Sequence, residues 1–319
     1  MLRGGVRRAC AIGAMLAAGY GAAAPYPDKP IRIIVPAQAG GAADVVARKM
    51  GARLTDVWKQ SVVVDNRIGV VGAELALQSP ADGHTLLFSP DSLIMREAVY
   101  RNLPYRTLRD FQPVTLAVVQ PNVLLAPVGL PIKSVPELIT AARAKPGQYL
   151  YGSAGNGTAQ HMAGELFKLL ARVDLVHVPY KGVPQSITDL IGGRVQLAFG
   201  SPVTALPHVR ENRLRLLAVT TPRRLASLPD VPTIAEGGVA GYDFTGWLAL
   251  FAPRGTPAGT VRIIQREVAR IVHEPDMSQL LASGGTEPLG NAPEAFTALL
   301  KTEIARWTKV AQDARITAE

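Results

Sequence analysis

The chain has 319 residues, 48% of them hydrophobic, 18% charged and only 6% aromatic, with 30 Gly and 25 Pro. That apolar content excludes wholesale disorder, the absence of a short repeat excludes coiled coil and collagen, and the length makes two domains the fair expectation. A net charge of +9 without a Lys/Arg cluster points weakly to anions and away from nucleic acid.

The first elements are not part of a fold. Arg3, Arg7 and Arg8 precede an apolar run, Ala9 to Tyr20, and then Gly21-Ala22-Ala23-Ala24. A basic start, a short apolar middle and small residues at the end predict a secretory signal peptide over residues 1–23, too short to span a membrane. Arg7-Arg8-Ala9 before Cys10 lacks the aliphatic residue of a lipoprotein signal, so the mature chain is expected in the periplasm, unanchored. Cleavage removes three arginines and no acid, taking the charge from +9 to +6. It also removes the only cysteine, which excludes disulfide and thiol chemistry afterwards.

Beyond it, Ile31 to Val35 reads as a strand, followed by a helix with Val45, Val46, Met50, Leu54, Val57 and Trp58 at helical spacing. Strands at 62–64 and 85–88 flank a helix around 74–77. Strands are then expected at 114–119, 123–126, 149–151, 174–178, 195–199 and 214–219, with helices at 135–144, 158–171, 185–191 and 203–211 between them. Such alternation predicts an α/β fold with doubly wound, parallel sheets. The last third is helical near 257–273, 276–283 and 293–312, where Phe296, Leu300 and Trp307 share an apolar stripe that makes Trp307 core. Ser134 with Glu137, Thr233 with Glu236 and Asn291 with Glu294 have capping-box spacing. No flexible linker is visible, so two lobes would be joined by ordered crossings, near 114–126 and 217–251.

Two strand-to-helix loops carry the chemistry. The first, Ala37, Gln38, Ala39, Gly40, Gly41 and Ala42 before Asp44, offers small residues and a helix start with unpaired N–H groups, suited to a carboxylate. It has neither the Gly-Lys-Ser/Thr of a phosphate loop nor a dinucleotide fingerprint. Asp44 reads as a helix-start cap. The second loop, Ser153, Gly155, Asn156, Gly157 and Thr158, repeats the arrangement, and His161 follows it in the first helical turn. Tyr180 and Lys181 could offer a phenol and an ammonium to a cleft. No zinc spacing and no Gly-x-Ser-x-Gly elbow occur, so no metal, no cofactor and no catalytic residue is expected.

Residues spread over the whole mature chain resemble one family. They include Tyr26-Pro27-Asp28-Lys29-Pro30-Ile31-Arg32, Pro36 with Gly40-Gly41 and Asp44, Asp82-Gly83-His84-Thr85-Leu86-Leu87, and His177-Val178-Pro179-Tyr180-Lys181-Gly182. Leu228-Pro229-Asp230-Val231-Pro232-Thr233 and Ala252-Pro253-Arg254-Gly255-Thr256-Pro257 continue the match. The pattern is similar to the Bug receptors of tripartite tricarboxylate transporters. That resemblance implies a two-lobed, type II-like Venus-flytrap fold: lobe 1 from 24–120 plus 221–319, lobe 2 from 121–220. It implies a monomeric receptor that closes on a small carboxylate and presents it to a membrane permease, or else only signals to a sensor. An exported enzyme using Asp91 or His161 is the weaker alternative.

The resemblance also brings Ser89, Asp91 and Ser92, and Gly200 with Ser201, to the cleft. An acid at Asp91 is expected to repel a carboxylate, which argues against a simple dicarboxylate. Gly200-Ser201 stands where some relatives carry an Asp-Asn pair that contacts an amino group, which argues against an amino acid. Ile68 and Val70-Val71 depart from the family's proline and glycine-rich pattern.

Overall fold

The computed structural model describes Met1, residues 26–283 and residues 285–317. The expected signal peptide and Cys10 lie outside the described residues.

The first half opens with β1 (Ile31–Val35), α1 (Ala42–Trp58), β2 (Val62–Asn66), α2 (Val70–Leu77) and β3 (Thr85–Pro90). β1 pairs in parallel with β2 on one side and β3 on the other, so its β-branched run is covered on both faces and reads as continuous apolar sequence. α1 lays Val46, Met50 and Leu54 on this sheet, and stops at Lys59, whose N–H still reaches the Thr55 carbonyl while its left-handed backbone (φ 55°) turns the chain out of the helix. Then come α3 (Ser92–Val99), α4 (Thr107–Asp110) and a long strand, β4 (Phe111–Pro121).

The chain moves to a second sheet at Asn122. There it forms β5 (Val123–Pro127), α5 (Val135–Ala144), β6 (Tyr149–Ser153), α6 (Ala159–Ala171), β7 (Leu175–Pro179), α7 (Val183–Ile191), β8 (Leu197–Gly200), α8 (Pro202–Arg210) and β9 (Leu214–Val219). It returns through residues 220–244 into β10 (Thr245–Pro253), and ends with α9 (Ala258–Val272), α10 (Pro275–Ser283), β11 (Glu287–Pro288) and α11 (Pro293–Asp313). The strand orders are β11-β4-β10-β3-β1-β2 and β7-β6-β8-β5-β9.

The sheets are not wholly parallel. β10 runs antiparallel to both β3 and β4, and β5 antiparallel to both β8 and β9. Each is the strand by which the chain enters a sheet from the other, so each arrives from the cleft side and runs against its neighbours. Thr220 ties the crossings together. Its N–H donates to the Asn122 carbonyl (3.0 Å), its hydroxyl accepts from the Asn122 N–H (3.1 Å), and its carbonyl accepts from the Phe244 N–H (2.9 Å).

One apolar cluster runs through both halves, joining Leu93, Met95 and Val99 of α3 to Met162 and Leu166 of α6 and to Phe296, Leu300 and Trp307 of α11. Trp307 is 1% exposed and is core, as its spacing predicts. The capping motifs divide. Thr233 and Glu236 form the full reciprocal box, with backbone-to-side-chain bonds of 2.7 and 3.0 Å. Ser134 accepts from the Glu137 N–H, but Glu137 turns to the Lys133 N–H. Asn291 is no cap: Ala292 precedes α11, and the Asn291 side chain accepts from the Leu116 N–H at 2.9 Å, fastening the helix start to β4.

Candidate functional site

The C-terminal ends of β1, β3, β6 and β8 face one cavity between the two sheets, of about 100 Å³. The halves touch across it at several points. Gln38 lies over Gly182, where an added β-carbon would sit 2.1 Å from Gln38 Oε1. Arg96 lies over Gly157, where a β-carbon would sit 2.9 Å from Arg96 Cγ. Gln160 Nε2 also donates across to Asn122 Oδ1 at 3.0 Å.

The first loop is shaped by Gly40, whose φ of 78° favours glycine, and by Asp44. Asp44 Oδ2 accepts the Gly40 N–H at 2.9 Å, and Oδ1 pairs with Arg48 at 2.9 Å. Burial opposes ionisation of Asp44, but the Gly40 N–H, Arg48 and Asn66 outweigh it and hold the carboxyl below its usual range. Asp44 therefore braces the loop and does not cap α1, whose N-cap Gly41 offers no side chain. The first-turn amides of α1 at Ala42 and Ala43 have no acceptor within the helix, and both residues line the cavity.

The second loop spends its polar groups on itself. Thr158 Oγ1 donates to the Gly155 carbonyl (2.7 Å) and accepts the His161 N–H (3.4 Å) as N-cap of α6. The Gly157 N–H goes to His161 Nδ1 at 3.2 Å. His161 stacks at 4.1 Å on His177, whose Nε2 meets Ser153 Oγ at 2.6 Å. Burial, first of all, pushes His161 down to about 4 and His177 down to about 3, so both are neutral at neutral pH. What the loop leaves to the cavity is the start of α6, at Ala159 and Gln160.

Of the residues expected at the site, the cavity wall contains Ala37, Gln38, Gly41 and Ala42 from the first loop. It also contains Asp91 and Ser92, Thr158, and Ser201. Ala39 and Gly40 are on the exposed side of their loop, and Ser89 is buried with its hydroxyl on the Pro90 carbonyl. Ser153, Gly157 and His161 are buried behind the wall, whereas Gly155 is half-buried and Asn156 exposed, off the wall. Tyr180 is turned away to Asp189 Oδ2 at 2.9 Å, and its burial, with that bond, pushes the phenol up to about 12. Gly200 is off the wall, where an added β-carbon would face Leu125, Val183 and Ile187. Sequence reasoning missed Arg96, Gln120, Gln160, Gly246 and Trp247, all on the wall. Arg96 follows the apolar run Leu93-Ile94-Met95, a signal open to use; Trp247 enters through β10 and has no local signal.

Four buried side-chain atoms on this wall have no hydrogen-bond partner among the described residues: Gln38 Oε1, Asp91 Oδ2, Ser201 Oγ and Trp247 Nε1. Asp91 is 1% exposed. Burial, and then the charge of Glu303, pushes its carboxyl up to about 8 against the pull of three backbone N–H groups. At neutral pH it is mostly the uncharged acid, a hydrogen-bond donor. The repulsion expected of an acid here is thereby removed.

The profile of the tripartite tricarboxylate transporter family receptors matches residues 46–316. The chain belongs to that family. BugT of Bordetella pertussis is 33% identical over 316 residues, 96% of this chain and 97% of its own. Rpa4515 of R. palustris, solved with adipate, is 37% identical with a TM-score of 0.87, over 92% of this chain and 100% of that one. MatC of Rhodopseudomonas palustris, solved with bound malate, is 30% identical with a TM-score of 0.84, over 89% and 99%. The fold is thus the two-lobed periplasmic-binding-protein fold, and the family is one of solute-binding receptors, not enzymes. The 2.6 Å approach of Ser153 to His177 is accordingly structural: Ser153 is fully buried and its Oγ accepts the Gly155 N–H. Among the described residues, no helix is long and apolar enough to cross a membrane.

Proposed function

We propose that this protein is an exported receptor that captures a small carboxylate-bearing solute between its two lobes, residues 24–120 plus 221–319 and residues 121–220. It then presents that solute to the permease of a tripartite tricarboxylate transporter. The signal peptide at 1–23 delivers it to the periplasm. The observation that carries the reading is the convergence of four unpartnered buried polar atoms and two open helix starts on one cavity between the sheets. Leaving such groups unpaired costs about 1–3 kcal/mol each, so a ligand that satisfies them is bound in proportion. The amides of Ala42 and Ala43 on one side, and of Ala159 and Gln160 on the other, supply N–H donors with partial positive charge where a carboxylate would sit. Adipate in Rpa4515 and malate in MatC are acids of the size this cavity admits.

Thermal unfolding across a panel of carboxylic acids, amino acids, sugars and amines tests the proposal. A ligand at about 100 times its Kd should raise stability by about 2.7 kcal/mol. Small-angle scattering with that compound should show lobes that are closed when it is bound. Stabilisation by uncharged or cationic compounds alone would refute the carboxylate reading.

A further inference from the structure

Arg96 is only 7% exposed, lines the cavity, and forms no ion pair with any acid among the described residues. The acids on the elements around it are committed elsewhere. Glu97 accepts the Thr107 N–H. Glu165 holds the Tyr151 hydroxyl at 2.6 Å and Lys168 at 2.8 Å. Glu303 accepts from Trp307 Nε1 at 2.9 Å and faces Arg306. Asp91, the residue before the helix whose last turn carries Arg96, is held mostly uncharged by burial and brings no counter-charge. A guanidinium kept from water without an anion is a costly arrangement, which a bound anion relieves.

The contacts across the cleft place the Arg96 stem at one end of the cavity, and its guanidinium lies near the uncharged Tyr105 hydroxyl. Arg96 packs on Gly157, one residue before the N-cap of α6, whereas Gln38 packs on Gly182 beside the open start of α1. An anionic group held at the α1 end leaves the Arg96 guanidinium without an anionic partner among the described residues. We propose that Arg96 seats a second anionic group, so that the solute is a small dianion held end to end between α1 and the α3–α6 contact, with Arg96 deciding between diacids and monoacids. This rests on the receptor reading above and adds the ligand's charge. The cavity volume is about 100 Å³. At about 10–15 Å³ per water-sized group, it has room for a dicarboxylate of about four to six carbons.

The test is calorimetry on the wild type, Arg96→Gln and Arg96→Lys with succinate, glutarate and adipate, with their monomethyl esters, and with butyrate and hexanoate. At least one diacid should bind the wild type at least tenfold more tightly than its monomethyl ester. Arg96→Gln should weaken that diacid by about 10- to 100-fold and close the gap to the ester, while Arg96→Lys keeps part of it. Arg96→Met should leave the melting temperature of the ligand-free protein unchanged or raise it, which a merely structural arginine would not do. Equal binding of diacid and ester, or a diacid affinity within about threefold of wild type in Arg96→Gln, would overturn the assignment of Arg96 while leaving the receptor reading intact. So would binding of monoacids with no binding of any diacid. If no acid in the set binds, both the dianion assignment and the carboxylate reading fall.

Discussion

Replacing Asp91 by Asn should stabilise the protein at neutral pH, and the gain should grow with pH. The folded protein holds the Asp91 proton up to about 8, whereas the unfolded chain releases it near 3.8. The sign follows from that order. Between those values the folded state binds more protons than the unfolded one, so this group's contribution is fully present below 3.8 and is lost as pH rises towards 8. At about 1.4 kcal/mol per pH unit, the loss reaches about 1 kcal/mol at pH 4.5 and about 4 kcal/mol at pH 7. Asn has nearly the same shape and no charge to bury, so it escapes the loss. The gain in melting temperature over wild type should therefore be about 5–10 °C larger at pH 7 than at pH 4.5. Differential scanning calorimetry of both proteins from pH 4.5 to 8.5 measures it. A gain that is flat with pH, or that shrinks as pH rises, would show that Asp91 is ionised in the folded protein. The donor role assigned to it would fall with that result.

The other expectations follow from the second loop. Thr158→Ala removes the α6 N-cap and should cost about 1 kcal/mol of stability by denaturant titration. Its effect on carboxylate affinity should stay within a few fold, because the Thr158 hydroxyl already donates to Gly155; a hundredfold loss would contradict that geometry. Gly157→Val places a branched side chain at a φ of 65° and 2.9 Å from Arg96 Cγ, so carboxylate binding measured by calorimetry should fall more than tenfold, well beyond the Thr158→Ala effect. His161 and His177 titrate near 4 and 3 in the fold but near 6.5 unfolded, so their contribution is intact above 6.5 and is lost as pH falls below it. His177→Gln, which keeps a hydrogen-bonding group beside Ser153, should lose less stability than wild type between pH 6.5 and 4.5 in parallel thermal melts.

Much of this protein was legible in the chain because its signals are local. The β-branched run Ile31 to Val35 can only be covered on both faces, and the 3.6-residue spacing of Val46, Met50 and Leu54 requires a helix beside it. Gly40 and Gly157 mark turns at positive φ, and the loops that contain them end at helix starts whose amides are open by geometry alone. Thr233 with Glu236 closes its capping box within four residues. What sequence could not reveal are the properties made by distant segments. β10 runs against β3 and β4 because the chain returns from the second sheet, and only that return brings Trp247 beside Asp91, whose N–H donates to the Trp247 carbonyl at 3.2 Å. The hydroxyl of Thr158 and the amide of Gly157, both open by sequence, are taken by Gly155 and by His161 once the loop folds onto itself. Asp91 reads as a negative charge in the sequence and is mostly an uncharged donor in the fold, because solvation is set by everything packed around it. Arg96 reads as one arginine among many, and becomes a buried cation without a counter-charge only when α3 is closed against α6. Local geometry comes from neighbours along the chain, whereas burial and charge come from neighbours in space.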